Sequence, residues 1–305
     1  MRVLAALGLD DEDALVLSIA ARRAREGGSL LARKGEIGIC HVVREHRAIR
    51  PLFPQRELAT VGVVSRAAEH ARAALEARAR MLLPDVENVS FFLEHGEPYA
   101  EVVRRAESWK ADVVVVGARR KQGIAAAFLG GVADRVVRYA HAPVIVARNV
   151  REHGHVVAAT DMSDPSLPAI EAGYAEAKLR GGGFSIVHVL PPPAITSAPY
   201  GAALPVTGPS SHEVTEETRT LVESHIRNEM KERLGITDSA VQIRVLMGPP
   251  AASIVSLTAS RDAELVVVGT RGRTGLSRIL LGSIAEEVVR TAPCSVLAVR
   301  LAPPS

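Results

Sequence analysis

The chain has 305 residues, 47% of them apolar and only 3% aromatic, with a formal net charge of +3. That length suits about two domains, while so few aromatic rings argue against a surface that stacks single-stranded bases, and the interspersed Lys, Arg, Asp and Glu read as solvated helix faces rather than a nucleic-acid-binding run. Cys40 and Cys294 lie in apolar runs and imply no disulfide framework, and no run approaches the ~20 apolar residues of a membrane span, so a soluble protein of the reducing cytoplasm is expected.

Residues 3–7 form an apolar stretch that acids follow at once, which reads as a first strand rather than a secretory leader. An amphipathic stretch, a second strand containing His41-Val42, a basic connection over 44–60, a long helical pattern and a strand ending at Gly96 follow. Next comes VVVVG at 113–117, a continuous apolar run of the kind that parallel strands show when helices cover both faces. A loop with glycines at 117, 123 and 130, another helical pattern and a strand at 144–147 complete the half. The junction falls near 149–153, predicting domains over 1–150 and 151–305.

The second half repeats the first. Residues 111–148 laid over 263–300 without a gap give 16 identities in 38 positions, and a repeat of this length is a whole domain rather than a solenoid unit. The matching elements are a strand at 156–160, a turn with Ser163, Pro165 and Ser166 opening a helix, and a strand containing His188-Val189. A Pro-, Gly- and Ser-rich connection at 191–212 leads to a charged helical pattern over 213–234, which reads as an exposed amphipathic helix, and to a strand ending at Gly248. The alternation of strand and helix within each half predicts a doubly wound α/β architecture.

The last third of the second half carries the chemistry. Gly269 ends a buried strand; Gly272 follows after two residues, Gly282 after nine more, and Ser283 stands where helical spacing resumes. A helix N-terminus presents unpaired amides and the positive end of its dipole to an anion, and a serine hydroxyl adds a donor. Gly269 and Gly272 let the backbone approach a ligand closely, and Arg271 and Arg273 bring positive charge to the same loop. The pattern is neither GxGxxG after a first strand nor GxxxxGK[ST], so the usual dinucleotide and P-loop fingerprints are not met.

The duplication, the GxxG(x9)GS pattern and a first strand ending in Asp161 followed by Ser163 together resemble the universal stress protein family in its tandem form. The resemblance implies two tandem doubly wound, parallel five-stranded sheets of order 3-2-1-4-5, the adenine nucleotide alpha hydrolase-like fold. It further implies an ATP site with a divalent cation such as Mg2+: Asp161 at the nucleoside or its metal, Val189 against adenine, Val268 and Gly269 beside the nucleoside, and Gly272, Gly282, Ser283 and Ile284 as the phosphate cradle. The last strands, at 144–147 and 296–299, would pair the halves as an internal pseudo-dimer, with a homodimer of chains as a further possibility. In the first half Gly8 stands in for Asp161, Arg120 for Gly272 and Gly131 for Ser283, so that copy is expected not to bind ATP in the family manner.

No histidine spacing marks a metal set, and no GxSxG elbow marks a hydrolase nucleophile. The expected output is nucleotide binding with slow or absent hydrolysis. The alternatives are a weak ATP hydrolase and a nucleotide-free interaction module.

Overall fold

The computed structural model describes residues 1–26, 35–44, 57–84, 86, 88–118, 129–149, 154–191, 216–270 and 281–300, with side chains in the 57–82 helix from residue 69 onward. The first half runs β1 (Arg2–Leu7), α1 (Asp13–Glu26), β2 (Glu36–Val43), α2 (Glu57–Leu82), β3 (Val89–His95), α3 (Pro98–Ser108), β4 (Val113–Gly117), α4 (Gly131–Tyr139) and β5 (Val144–Ala147). The second runs β6 (His155–Ala159), a 3-10 turn at Asp164–Ser166, α5 (Leu167–Arg180), β7 (Phe184–Leu190), α6 (Glu216–Leu234), β8 (Gln242–Met247), α7 (Pro250–Ser260), β9 (Ala263–Gly269), α8 (Ser283–Thr291) and β10 (Ser295–Val299).

The ten strands form one sheet, ordered β3-β2-β1-β4-β5-β10-β9-β6-β7-β8. Each half therefore has the expected 3-2-1-4-5 order, and all pairing within a half is parallel. The halves are not separate sheets. Antiparallel pairing of β5 with β10, with Ile145 opposite Leu297, joins them at the centre.

The valine runs form strands because both of their faces are covered. Val113 and Val115 lie in one apolar core with residues of α1, α2, α5 and α6, whereas Val114 and Val116 lie in the other with residues of α3, α4, α7 and α8. Alternate side chains point to opposite faces, so a strand buried on both sides needs apolar residues at every position. β-Branched valines suit such a pleated surface.

Two reciprocal arginines tie each half to the other's last helix. Arg148, just after β5, donates to the carbonyls of Val289, Arg290 and Cys294 at the end of α8, and Arg300, just after β10, donates to those of Val137 and Arg138 at the end of α4. A cation at a helix C-terminus meets orphan carbonyls and the negative end of the dipole, worth about 0.3–1 kcal/mol each. Arg138 also pairs with Glu286 at 2.6 Å, and the Ser295 hydroxyl donates to the Asn149 carbonyl at 2.9 Å.

A second junction is a buried ion cluster. Glu176 and Arg180 of α5 and Glu264 of β9 are almost fully enclosed and meet Arg22 and Arg23 of α1. Burial pushes the Arg180 guanidinium below its ordinary pKa, and Glu264 opposes that shift. These charges depart from the solvated helix faces that the sequence suggested, because the sheet brings the last turns of α1 and α5 together across the central strand pair. Predicted charged helix 213–234 is helical over Glu216–Leu234, and its apolar stripe of Val222, Ile226 and Met230 is buried; residues 213–215 lie outside the described set.

Candidate functional site

The crevice of a doubly wound sheet lies beyond the carboxyl ends of the strands where their order reverses. In the second half that point lies between β6 and β9, and in the first between β1 and β4. Ala158 stands opposite Val267 in the β6–β9 ladder, so Asp161 and Thr270 leave the sheet at the same edge. Ala159 stands opposite Val187, which puts Val189 level with Asp161 on the next strand. Val189 and Val268 are buried, at 8% and 2% exposure, and supply an apolar floor at these strand ends.

The N-terminus of α8 is brought to this edge by a single bond. The Gly282 amide donates to the Thr270 carbonyl at 3.0 Å, pinning the start of the helix to the end of β9. Gly282 is the N-cap, with extended backbone and no side-chain cap, and Ser283 opens the helix. Glu286 is the first residue to bond back into the helix, to the Gly282 carbonyl at 2.8 Å, so the amides of Ser283, Ile284 and Ala285 have no acceptor within it. Ser283 and Ile284 are exposed. Among the described residues, a Cβ added at Gly282 would meet only the Thr270 carbonyl oxygen, at 3.7 Å.

Asp161 is held by its own turn. Its Oδ1 accepts from the Ser163 amide at 3.0 Å and from the Ser163 hydroxyl. Thr160 Oγ1 accepts from the Met162 amide at 3.0 Å and lies 2.8 Å from Ser166 Oγ, which donates to the Ser163 carbonyl. Met162 at the centre of this turn has φ +62°, a conformation costly for a non-glycine residue and kept only where surrounding contacts enforce it. Leu9, its counterpart in the first half, has φ +60°.

His188 adds a further brace that sequence reasoning gave no function. Its Nδ1 donates to the Thr160 carbonyl at 2.9 Å, and His41 does the same to Leu7. A carbonyl oxygen only accepts, which assigns the proton to Nδ1 in both rings. The matching His-Val pairs were the available signal, and they mark a strand-to-strand staple rather than a metal ligand. Among the described residues no group of three His, Cys, Asp or Glu side chains could hold a metal ion.

Of the predicted site residues, the fold thus brings Asp161, Val189, Val268, Gly269, Gly282, Ser283 and Ile284 to one edge of the sheet. Arg271, Gly272 and Arg273 lie outside the described residues, as do Arg120, residues 45–56 of the first connection and 192–212 of the second; residues 57–60, expected as connection, already belong to α2. Thr160 and Ser166 were missed; a threonine and two serines within seven residues of a buried strand end were the clue to a hydroxyl-built turn.

A model of the universal stress protein family matches residues 1–148 and, separately, residues 152–300. The chain belongs to the universal stress protein family. It is similar to universal stress protein MJ0531 of Methanocaldococcus jannaschii, with 32% identity over 145 residues that cover 48% of this chain and 81% of the relative. A universal stress protein of Mycolicibacterium smegmatis is 31% identical over 198 residues, 63% of each chain, and Rv1996 of Mycobacterium tuberculosis is 30% identical over 62% of this chain and 59% of its own. The matched region thus spans a little under two thirds of these mycobacterial relatives.

Among solved structures, a universal stress protein from Archaeoglobus fulgidus superposes with a TM-score of 0.67 at 19% identity, covering 98% of this chain and 96% of the other. Protein PA1789 of Pseudomonas aeruginosa superposes with a TM-score of 0.66 at 18% identity, covering 99% and 92%. At these identities the likeness concerns the fold alone: a family-typical tandem of parallel α/β units. No described helix is long and apolar enough to cross a membrane.

Proposed function

We propose that the second domain of this universal stress protein binds ATP with a divalent cation, and that nucleotide occupancy, not turnover, is its output in the stress response. The observation that carries this reading is the start of α8: three amides without intrahelical acceptors, a glycine with no side chain and a serine hydroxyl, all pinned by the Gly282–Thr270 bond to the edge where Asp161 emerges. An anion there would be gripped by main-chain donors and the helix dipole. Val189 and Val268 supply apolar surface suited to a base, and Asp161 supplies a carboxylate suited to a ribose hydroxyl or to the cation. A Mg2+ ion commonly takes one or two protein carboxylates and draws its remaining oxygens from phosphate and water, so a single Asp fits that role.

Turnover is not expected in this reading because His188 is buried, at 5% exposure, and Asp161 is taken by the ribose or the cation rather than by an attacking water. The loop glycine Gly272 and the arginines Arg271 and Arg273 belong to the same cradle in this reading. The test is mass spectrometry of small molecules released from the purified chain, followed by titration of the emptied protein with Mg-ATP. One ATP per chain is expected, with no steady phosphate release. A chain that carries no nucleotide, and whose melting temperature ATP leaves unchanged, refutes ATP binding in favour of a nucleotide-free interaction module.

A further inference from the structure

The equivalent crevice of the first half contains something the second lacks. The turn after β1 reads Asp10, Asp11, Glu12, Asp13, whereas the turn after β6 reads Ser163, Asp164, Pro165, Ser166. The positive φ of Leu9 and Met162 fixes this correspondence, so Glu12 stands where the second half has proline. The acidic turn is rigidly held. Asp13 is buried, its Oδ1 accepts the Gly8 amide at 3.0 Å, and its Oδ2 pairs with Arg78 at 2.7 Å. The Glu12 amide donates to Asp10 Oδ1 at 3.1 Å, and its carbonyl accepts from Val16 at 3.1 Å, which fixes the backbone from which its side chain departs.

That side chain ends on Gly117, the last residue of β4. A Cβ built on Gly117 would lie 3.3 Å from Glu12 Cβ and 3.5 Å from Glu12 Cδ, and would overlap Glu12 Oε2 outright. Gly117 is the counterpart of Gly269 at the point where the strand order reverses, so the carboxylate sits at the mouth of the crevice. Among the described residues, by contrast, a Cβ at Gly131, the position of the missing serine, would find nothing within 4 Å.

We infer that Glu12 is a built-in plug of the first-half crevice: its carboxylate lies over Gly117 and occupies space a nucleotide would need there. This inference rests on the reading of the second half as the nucleotide site, and it explains why one chain would take one nucleotide rather than two.

The test uses the full chain and Mg-ATP as the probe, with stoichiometry read by isothermal titration. Wild type and the Gly8→Asp/Arg120→Gly/Gly131→Ser triple variant, which restores all three cradle positions but retains Glu12, are both expected to bind one ATP; adding Glu12→Ala to the triple variant is expected to raise this to two. A second ATP bound by the triple variant while Glu12 is present, or a quadruple variant that still binds one, overturns the inference. A nucleotide-free readout separates this from failure of the ATP reading itself. Gly117→Ala is expected to lower the melting temperature more in the wild-type background, where the Glu12 carboxylate must swing aside, than alongside Glu12→Ala; an equal effect in both backgrounds removes the plug even if wild type binds no ATP.

Discussion

Gly282 offers the sharpest separation of ligand binding from folding. Its φ of −61° and ψ of 144° are open to any residue, and among the described residues an added Cβ touches only the Thr270 carbonyl oxygen, at an ordinary 3.7 Å. Gly282→Ala in the empty protein should therefore change stability by no more than about 1 kcal/mol, since the entropy gained over glycine and the small N-cap penalty of alanine oppose one another. In the nucleotide complex the same methyl group enters the bare approach to the α8 amides, and loss of one hydrogen bond to a charged phosphate costs about 1.5–3 kcal/mol. That corresponds to a tenfold to more than hundredfold weaker affinity, and the branched Gly282→Val should weaken it more. Calorimetric titration with Mg-ATP, paired with urea unfolding of the empty protein, measures both halves of the argument. If Gly282→Val keeps its ATP affinity while remaining folded, the main-chain phosphate cradle is wrong.

Further outcomes follow from the same geometry. Asp161→Ala should weaken Mg-ATP binding by about tenfold to a hundredfold, on the same charge-assisted hydrogen-bond scale, and an affinity unaffected by the change would remove Asp161 from the site. Glu176→Ala should cost about 3–5 kcal/mol in urea unfolding, because it removes one of the two enclosed carboxylates that balance Arg22, Arg23 and Arg180 and leaves Glu264; a loss below about 1 kcal/mol would mean that water reaches the cluster. Burial pushes the Cys40 thiol up to about 12 and the Cys294 thiol to about 11, so neither should be alkylated by iodoacetamide at pH 8 until the chain is unfolded; rapid labelling of the native protein would contradict their placement. His155 titrates below the ordinary histidine value of 6.5, chiefly through burial and then through Arg261 and Arg244. The unfolded chain therefore takes up that proton first, so this contribution to stability is complete above pH 6.5 and is lost as pH falls toward the depressed folded value. His155→Gln should flatten the stability profile across that window, and an unchanged slope would assign it to other groups.

The recurrence of VVVVG and LVVVG with glycine spacing after each made the two-domain parallel architecture readable before any coordinates, because continuous β-branched runs and duplicated spacing are properties of local sequence. The same holds for Gly282 and Ser283, where helical periodicity resumes directly after a glycine. Thr160, Ser166 and His188 were less legible: each is an ordinary polar residue until the turn after β6 folds and gives its side chain a backbone partner.

What the sequence by itself determined is the pattern of strands and helices, their duplication and the candidate anion cradle, since hydrophobic period, glycine freedom and helix starts act within a few residues. Only the tertiary structure decided that the charges of α1 and α5 are enclosed, that Arg148 and Arg300 close each other's helices, and that Glu12 lies against Gly117 more than a hundred residues away. Each of these depends on which segments the sheet order makes neighbours. A charged side chain carries no mark of whether it will face water or another element until that order brings the partner to it.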